Sequence, residues 1–188
     1  MGRWETGTRG KLHDAAMRLF TENGYDQTTA ADIAAAVGVT ERTFFRHFVD
    51  KREVLFDAQE EVTQLLIRGV REAAGTGPLE IAVGGVVTLS SFFHDERREF
   101  DRVRQRLIDA TPALEERERL KLAGLAATVH AELLARGATE PAATLAAESA
   151  ITVFRTAIIQ WISEGETRSF AELTTQTLAS LRALSASD

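Results

Sequence analysis

Cysteine is absent from this 188-residue chain, which excludes disulfides and thiolate metal sites. Proline is scarce. Its three copies, Pro78, Pro112 and Pro141, each stand where a helix can begin, because the first turn tolerates a residue without an N–H. No run approaches the ~18 apolar residues of a membrane helix, and the longest candidate, 81–93, is interrupted by glycine and serine. No apolar stretch follows Met1, so no signal peptide is read, and a cytoplasmic protein without a membrane partner is expected. A glycine-rich phosphate loop and a nucleophile–base pair are also missing, so neither enzymatic activity nor a cofactor is expected. His94-Asp95-Glu96 contains ligand-type side chains, but successive helical residues point in different directions, and no metal site is expected.

What is present is an ordinary globular mixture, 44% hydrophobic and 27% charged residues, without repeats. The formal charge is -6, and its distribution is uneven. Residues 1–53 hold 8 Lys/Arg and 8 Asp/Glu, whereas residues 54–188 hold 14 and 20. The acidic excess therefore lies outside the first 53 residues. A neutral segment can still bind an anionic polymer if its cations face the phosphates, although its non-specific affinity should be modest.

Almost every segment has helical periodicity. About nine helices are expected, which makes the fold class all-α. The first spans roughly 8–22 with Leu12, Ala15, Ala16, Leu19 and Phe20 on one face. The fourth is expected to begin near Lys51 and to run through Val54, Leu55, Val62 and Val70. Helices five to nine follow Pro78, His94, Pro112, Pro141 and Ser169, and the fifth is apolar on most sides, as a buried helix is.

The segment from Thr29 to Lys51, TAADIAAAVGVTERTFFRHFVDK, reads as two short helices joined by a tight turn. Thr29 with Asp32 has the form of a capping box. Gly38 supplies a left-handed turn residue, and Thr40 caps the next helix. Phe44 and Phe48 share a face and should pack inward with Phe20 and Ile33. Glu41, Arg42, Thr43, Phe45, Arg46 and His47 then face outward. Arg42 lies near the helix N-terminus, the end that meets base edges in a helix-turn-helix, and its guanidinium matches guanine O6 and N7. Thr43 suits a thymine methyl or a phosphate. Arg46, His47 and Lys51 suit phosphates, and Arg9 and Lys11 offer a basic approach beside them.

Phe20 to Phe56, FTENGYDQTTAADIAAAVGVTERTFFRHFVDKREVLF, resembles the DNA-binding domain of the tetracycline-repressor (TetR) family. The matching residues are Gly24-Tyr25, Ile33-Ala34, Gly38-Val39-Thr40, Thr43-Phe44-Phe45, His47-Phe48, Lys51 and Leu55. The resemblance implies a homodimeric transcription regulator, usually a repressor released by a small ligand. It implies a three-helix DNA-binding domain over 1–53 and a helical ligand-binding and dimerisation domain over 54–188. By position, Thr29, Thr40, Thr43, His47 and Lys51 would contact phosphates, and Arg42 with Thr43 would read bases. Phe45 departs from the family's frequent tyrosine and offers only apolar contact.

The expected partners are a palindromic double-stranded DNA operator, a small and largely hydrophobic effector, and a second copy of the chain. Effector-pocket candidates are Phe92, Phe93, Val103, Arg104, Leu107, Leu125 and Val129. The arginine-rich stretch 97–106 otherwise reads as a solvated face interleaved with acids. Dimer-interface candidates on helices eight and nine are Ile151, Phe154, Ile158, Ile162, Leu173, Leu178 and Leu181. Two other readings stand beside this one: an activator of the same fold, and an all-helical small-molecule-binding protein or enzyme that does not bind DNA.

Overall fold

Capping residues and prolines mark several helix boundaries in the structure, a computed structural model that describes residues 7–185. Nine α-helices and no strand occur among the described residues. In chain order they are α1 (Thr8–Asn23), α2 (Ala30–Ala36), α3 (Glu41–His47), α4 (Gln59–Glu72), α5 (Pro78–Thr88), α6 (Arg98–Asp109), α7 (Pro112–Ala135), α8 (Ala142–Trp161) and α9 (Phe170–Ser185). Pro78 occupies the first turn of α5, Pro112 opens α7 and Pro141 precedes α8. Ser169 caps α9: its hydroxyl accepts from the Glu172 N–H at 3.3 Å, and the Glu172 carboxylate accepts from the Ser169 N–H at 2.7 Å. Each such exchange satisfies backbone donors that the helix leaves open and is worth about 1 kcal/mol.

The fourth helix departs from the expectation. A 3₁₀ turn, Arg52–Phe56, stands where the helix was to begin, and α4 starts only at Gln59. The Asp50 carboxylate accepts from the N–H groups of Arg52 (2.8 Å) and Glu53 (3.2 Å), which starts the turn directly after α3. Val54, Leu55 and Phe56 are all buried. Burial of three consecutive residues does not fit an α-helix with one face in water.

The chain divides into two compact units. The first comprises residues 1–58 and 99–118, and the second comprises residues 59–98 and 119–188. The boundary read from sequence at residue 53 falls inside the 3₁₀ turn, whose Val54, Leu55 and Phe56 belong to the core of the first unit. That core gathers Leu12, Ala16, Phe20, Ile33, Phe44 and Phe48 around the turn, and it is completed by Ile108 of α6 and Leu114 of α7, each 0% exposed. Burying a side chain of this size stabilises by about 1.5–3 kcal/mol. Two arginines fasten the returning segment to the turn. Arg104 Nε donates to the Leu55 carbonyl at 2.6 Å, and Arg117 Nε donates to Glu53 Oε1 at 2.6 Å.

In the second unit, α4 and α5 pack at close range through glycines. A Cβ on Gly69 would stand 2.9 Å from the Gly85 Cα, and one on Gly85 would stand 3.1 Å from the Val70 nitrogen. α8 is long and apolar enough to cross a membrane by length and composition. Its Ala143, Ala147, Ala150, Ile151, Val153, Phe154, Ala157 and Trp161 are nevertheless buried in this unit, as in a core helix.

Candidate nucleic-acid interface

Hydrogen bonds define the start of α2, the turn after it and the start of α3. Thr29 Oγ1 accepts from the Asp32 N–H at 3.1 Å, and Asp32 accepts from the Thr29 N–H at 2.9 Å and from its hydroxyl at 2.6 Å. These bonds from the Thr29 side chain and backbone hold the Asp32 carboxyl below its ordinary pKa. Between the helices, the N–H groups of Gly38 and Val39 donate to the carbonyls of Ala35 and Ala34, both at 3.0 Å. Gly38 has φ +73, the left-handed conformation that such a helix stop requires. Thr40 then caps α3 by accepting from the Thr43 N–H, and the two threonine hydroxyls lie 3.1 Å apart.

Phe44 and Phe48 are buried, with ring centroids 5.4 Å apart. That packing turns the opposite face of α3 outward. Arg42, Phe45 and Arg46 are exposed on it, Thr43 is half-buried, and Phe45 retains 50% exposure. Phe45 thus leaves half of an apolar ring in water on the same side as Arg42 and Arg46. Val49, at 86% exposure, follows just after the helix.

Two of the expected phosphate ligands also bond within the chain. Lys51 Nζ donates to the carbonyls of Tyr25 (2.8 Å) and Thr28 (3.0 Å), and it lies 4.2 Å from the Tyr25 ring centroid. It therefore clasps the segment between α1 and α2. Thr29 directs both its donors at Asp32. Arg9 is also engaged: Nη1 donates to the His47 carbonyl at 2.8 Å, Nε donates to Asp57 at 2.8 Å, and the guanidinium covers the Phe48 ring. It caps the C-terminal end of α3 and ties it to α1. His47 Nε2 is buried and has no hydrogen-bond partner among the described residues. Lys11 is exposed. The clasp roles of Arg9 and Lys51 were not read from sequence. Their distant carbonyl partners, 38 and 26 residues away, leave no local pattern.

The effector-pocket candidates divide between the two units. Phe92, Phe93, Leu125 and Val129 are buried in the second. Val103 and Leu107 pack against the core of the first, where Arg104 also makes its bond to Leu55. Among the dimer candidates, Ile151, Phe154, Ile162 and Leu173 are buried within the chain itself, and Ile158, Leu178 and Leu181 are half-buried. The outward apolar residues of α8 are Leu145 (64% exposed) and Ile159 (51%).

Residues 12–58 match the model of a family described as "Bacterial regulatory proteins, tetR family". The HTH-type transcriptional regulator TcmR of Streptomyces glaucescens is 33% identical over 113 residues, which cover 57% of this chain and 50% of that protein. The alignment thus spans about half of this curated relative. Among solved structures, a complex of SmeT with triclosan superposes with a TM-score of 0.63 at 21% identity, covering 92% of this chain and 90% of that one. The TetR-family repressor FadR of Thermus thermophilus, bound to lauroyl-CoA, superposes with a TM-score of 0.54 at 22% identity, covering 93% of each chain.

Proposed function

Through residues 12–58 this chain belongs to the tetR family of bacterial regulatory proteins, and from that premise we propose that it is a ligand-responsive transcriptional regulator. It acts most simply as a repressor that leaves a palindromic operator when a small, largely hydrophobic molecule binds. The observation that carries the reading is α3. Its buried Phe44 and Phe48 fix the helix, and its outer side presents Arg42, Thr43, Phe45 and Arg46.

We assign base reading to Arg42 and Thr43, an apolar contact with a thymine methyl to Phe45, and phosphate contacts to Arg46 and Thr40. His47 reaches a phosphate after its ring turns outward. Thr29, Lys51 and Arg9 preorganise the motif. The first unit is the DNA-binding part, and the second binds effector and a second copy of the chain. One recognition helix reads only a few base pairs, so specificity requires two half-sites about 34–36 Å apart and hence a dimer. Its contact face includes Leu145, Ile158 and Ile159 of α8 with Leu178 and Leu181 of α9. The SmeT and FadR structures, in complex with triclosan and lauroyl-CoA, support a small apolar effector. An effector acts only if its affinities for the DNA-bound and DNA-free states differ.

In vitro selection from random DNA, followed by genome-wide binding, tests the proposal. A palindrome with half-sites about one helical turn apart is expected. Failure to enrich any sequence over the starting pool would refute the DNA-binding reading.

A further inference from the structure

Phe92, Phe93, Phe154, Trp161 and Phe170 converge inside the second unit. Neighbouring ring centroids in the cluster lie 5.0 Å (Phe92–Phe93 and Phe93–Phe170) to 6.5 Å (Trp161–Phe170) apart. Every ring is at most 8% exposed, and Trp161 is fully buried. Its indole Nε1–H has no hydrogen-bond partner among the described residues. That is unusual for a buried tryptophan, whose N–H normally finds an acceptor. Its neighbours Phe93 and Phe170 are inclined to it at 72° and 85° and carry no acceptor stronger than a π face.

Two guanidinium groups cover the cluster. Arg97 Cζ lies 4.1 Å from the Phe92 centroid, and Arg98 Cζ lies 5.1 Å from the Trp161 ring. Arg98 also holds the connector between α8 and α9. It donates to the Glu166 carbonyl and, through Nη2, to the Arg168 carbonyl at 2.8 Å and to Asp95 at 2.7 Å.

We propose that this aromatic cluster is the effector subsite, and that it takes a flat aromatic molecule carrying one hydrogen-bond acceptor, held by the Trp161 indole N–H. The inference rests on the effector-responsive reading above and specifies its ligand class. The rings part to admit a ring of their own kind, so stacking is exchanged rather than lost. The acceptor then satisfies a donor that is costly to leave unpaired in a dry interior. A molecule of the same shape without an acceptor gains the stacking and leaves the donor open. The discrimination between the two is about tenfold, the value of one such bond. Arg98 gives the subsite its output. It touches the Trp161 ring and begins α6, whose next residue, Glu99, already belongs to the DNA-binding unit. Displacing the indole therefore disturbs the anchor of a helix that runs into that unit.

Quinoline and naphthalene have the same shape and differ in one ring nitrogen, which makes them the test pair. The full chain is labelled with ¹⁵N, and the Trp161 indole resonance is identified by its absence in Trp161→Phe. At neutral pH, quinoline is expected to move the Trp161 indole proton downfield and to bind about tenfold tighter than naphthalene. Trp161→Phe is expected to lose the preference for quinoline over naphthalene. An unmoved indole resonance, equal affinities in the wild-type chain, or a preference that survives in Trp161→Phe overturns the proposal. If Trp161→Phe does not fold, the wild-type indole shift and affinity ratio decide alone, and the resonance is then identified with Trp4→Phe. DNA binding to the selected palindrome is measured separately. A chain that binds DNA but shows no quinoline shift loses the subsite and keeps the regulator reading. The opposite result keeps the subsite and removes the regulator reading.

Discussion

At the scale of single residues, the proposed interface separates into groups that meet DNA and groups that hold the meeting surface. Arg42→Ala is expected to weaken operator binding by about 1–3 kcal/mol and to relax preference at one base pair. An equal loss on random-sequence DNA would make Arg42 a phosphate contact instead. Lys51→Met is expected to lower both affinity and melting temperature while leaving the slope of log K against log[salt] unchanged, because its ammonium is bonded to Tyr25 and Thr28. A slope shallower by about 0.9 would instead count Lys51 among the phosphate ligands. Beneath that ammonium lies Tyr25, the single tyrosine of the chain. Burial first, and then the nearby Asp50 and Asp26 carboxylates, raise its pKa from 10.0 to about 12. A pKa raised in the folded state favours the protonated phenol, so this stabilisation is complete below pH 10 and is lost as pH rises towards about 12. Phenolate absorbance in an alkaline titration reports this one side chain. A midpoint near 10 would show that the ring is not held as described.

At the scale of elements, caps and close approaches decide which segments are rigid. Thr29→Ala removes the hydroxyl of a reciprocal cap and is expected to destabilise by about 1 kcal/mol in thermal or urea unfolding. The glycine pair between α4 and α5 makes a sharper case. Gly85→Ala would press a methyl against Val70 and is expected to cost about 1–3 kcal/mol; a neutral result would mean that the two helices separate freely. Much at this scale was legible in sequence. The Thr29–Asp32 pair, Gly38, the Thr40 cap and the inward Phe44 and Phe48 all follow from local spacing, and the structure contains each of them. What escaped depends on distant partners. The interruption before α4 comes from Asp50 turning back onto two amides. Phe154 and Leu173 lie on apolar stripes that one chain buries by itself, and a stripe read from sequence does not distinguish a core from an interface between copies.

At the scale of the whole molecule, the proposed dimer can be tested without damaging the core. Removal of α8 would also remove Trp161 and Phe154 from the second unit, so surface substitutions are more informative. Leu145→Glu combined with Ile159→Glu replaces the two most exposed large apolar residues of α8. The double variant is expected to sediment as a monomer with unchanged helicity and to lose tight binding to the palindrome. A variant that remains dimeric would remove this face of α8 from the interface.

The unit proposed to bind DNA is assembled from two stretches of chain, 1–58 and 99–118, and this has a consequence for biosynthesis. When residue 58 has been made, Leu12, Phe20 and Phe44 still lack Ile108 and Leu114, which close their core. At ~5–20 residues per second, the missing segment follows about 3–12 s later. The nascent helix-turn-helix therefore waits with an unfinished apolar surface while part of the second unit is translated. During that interval it is a candidate substrate for chaperones, and the proposed DNA-binding competence begins only after residue 118 has left the ribosome.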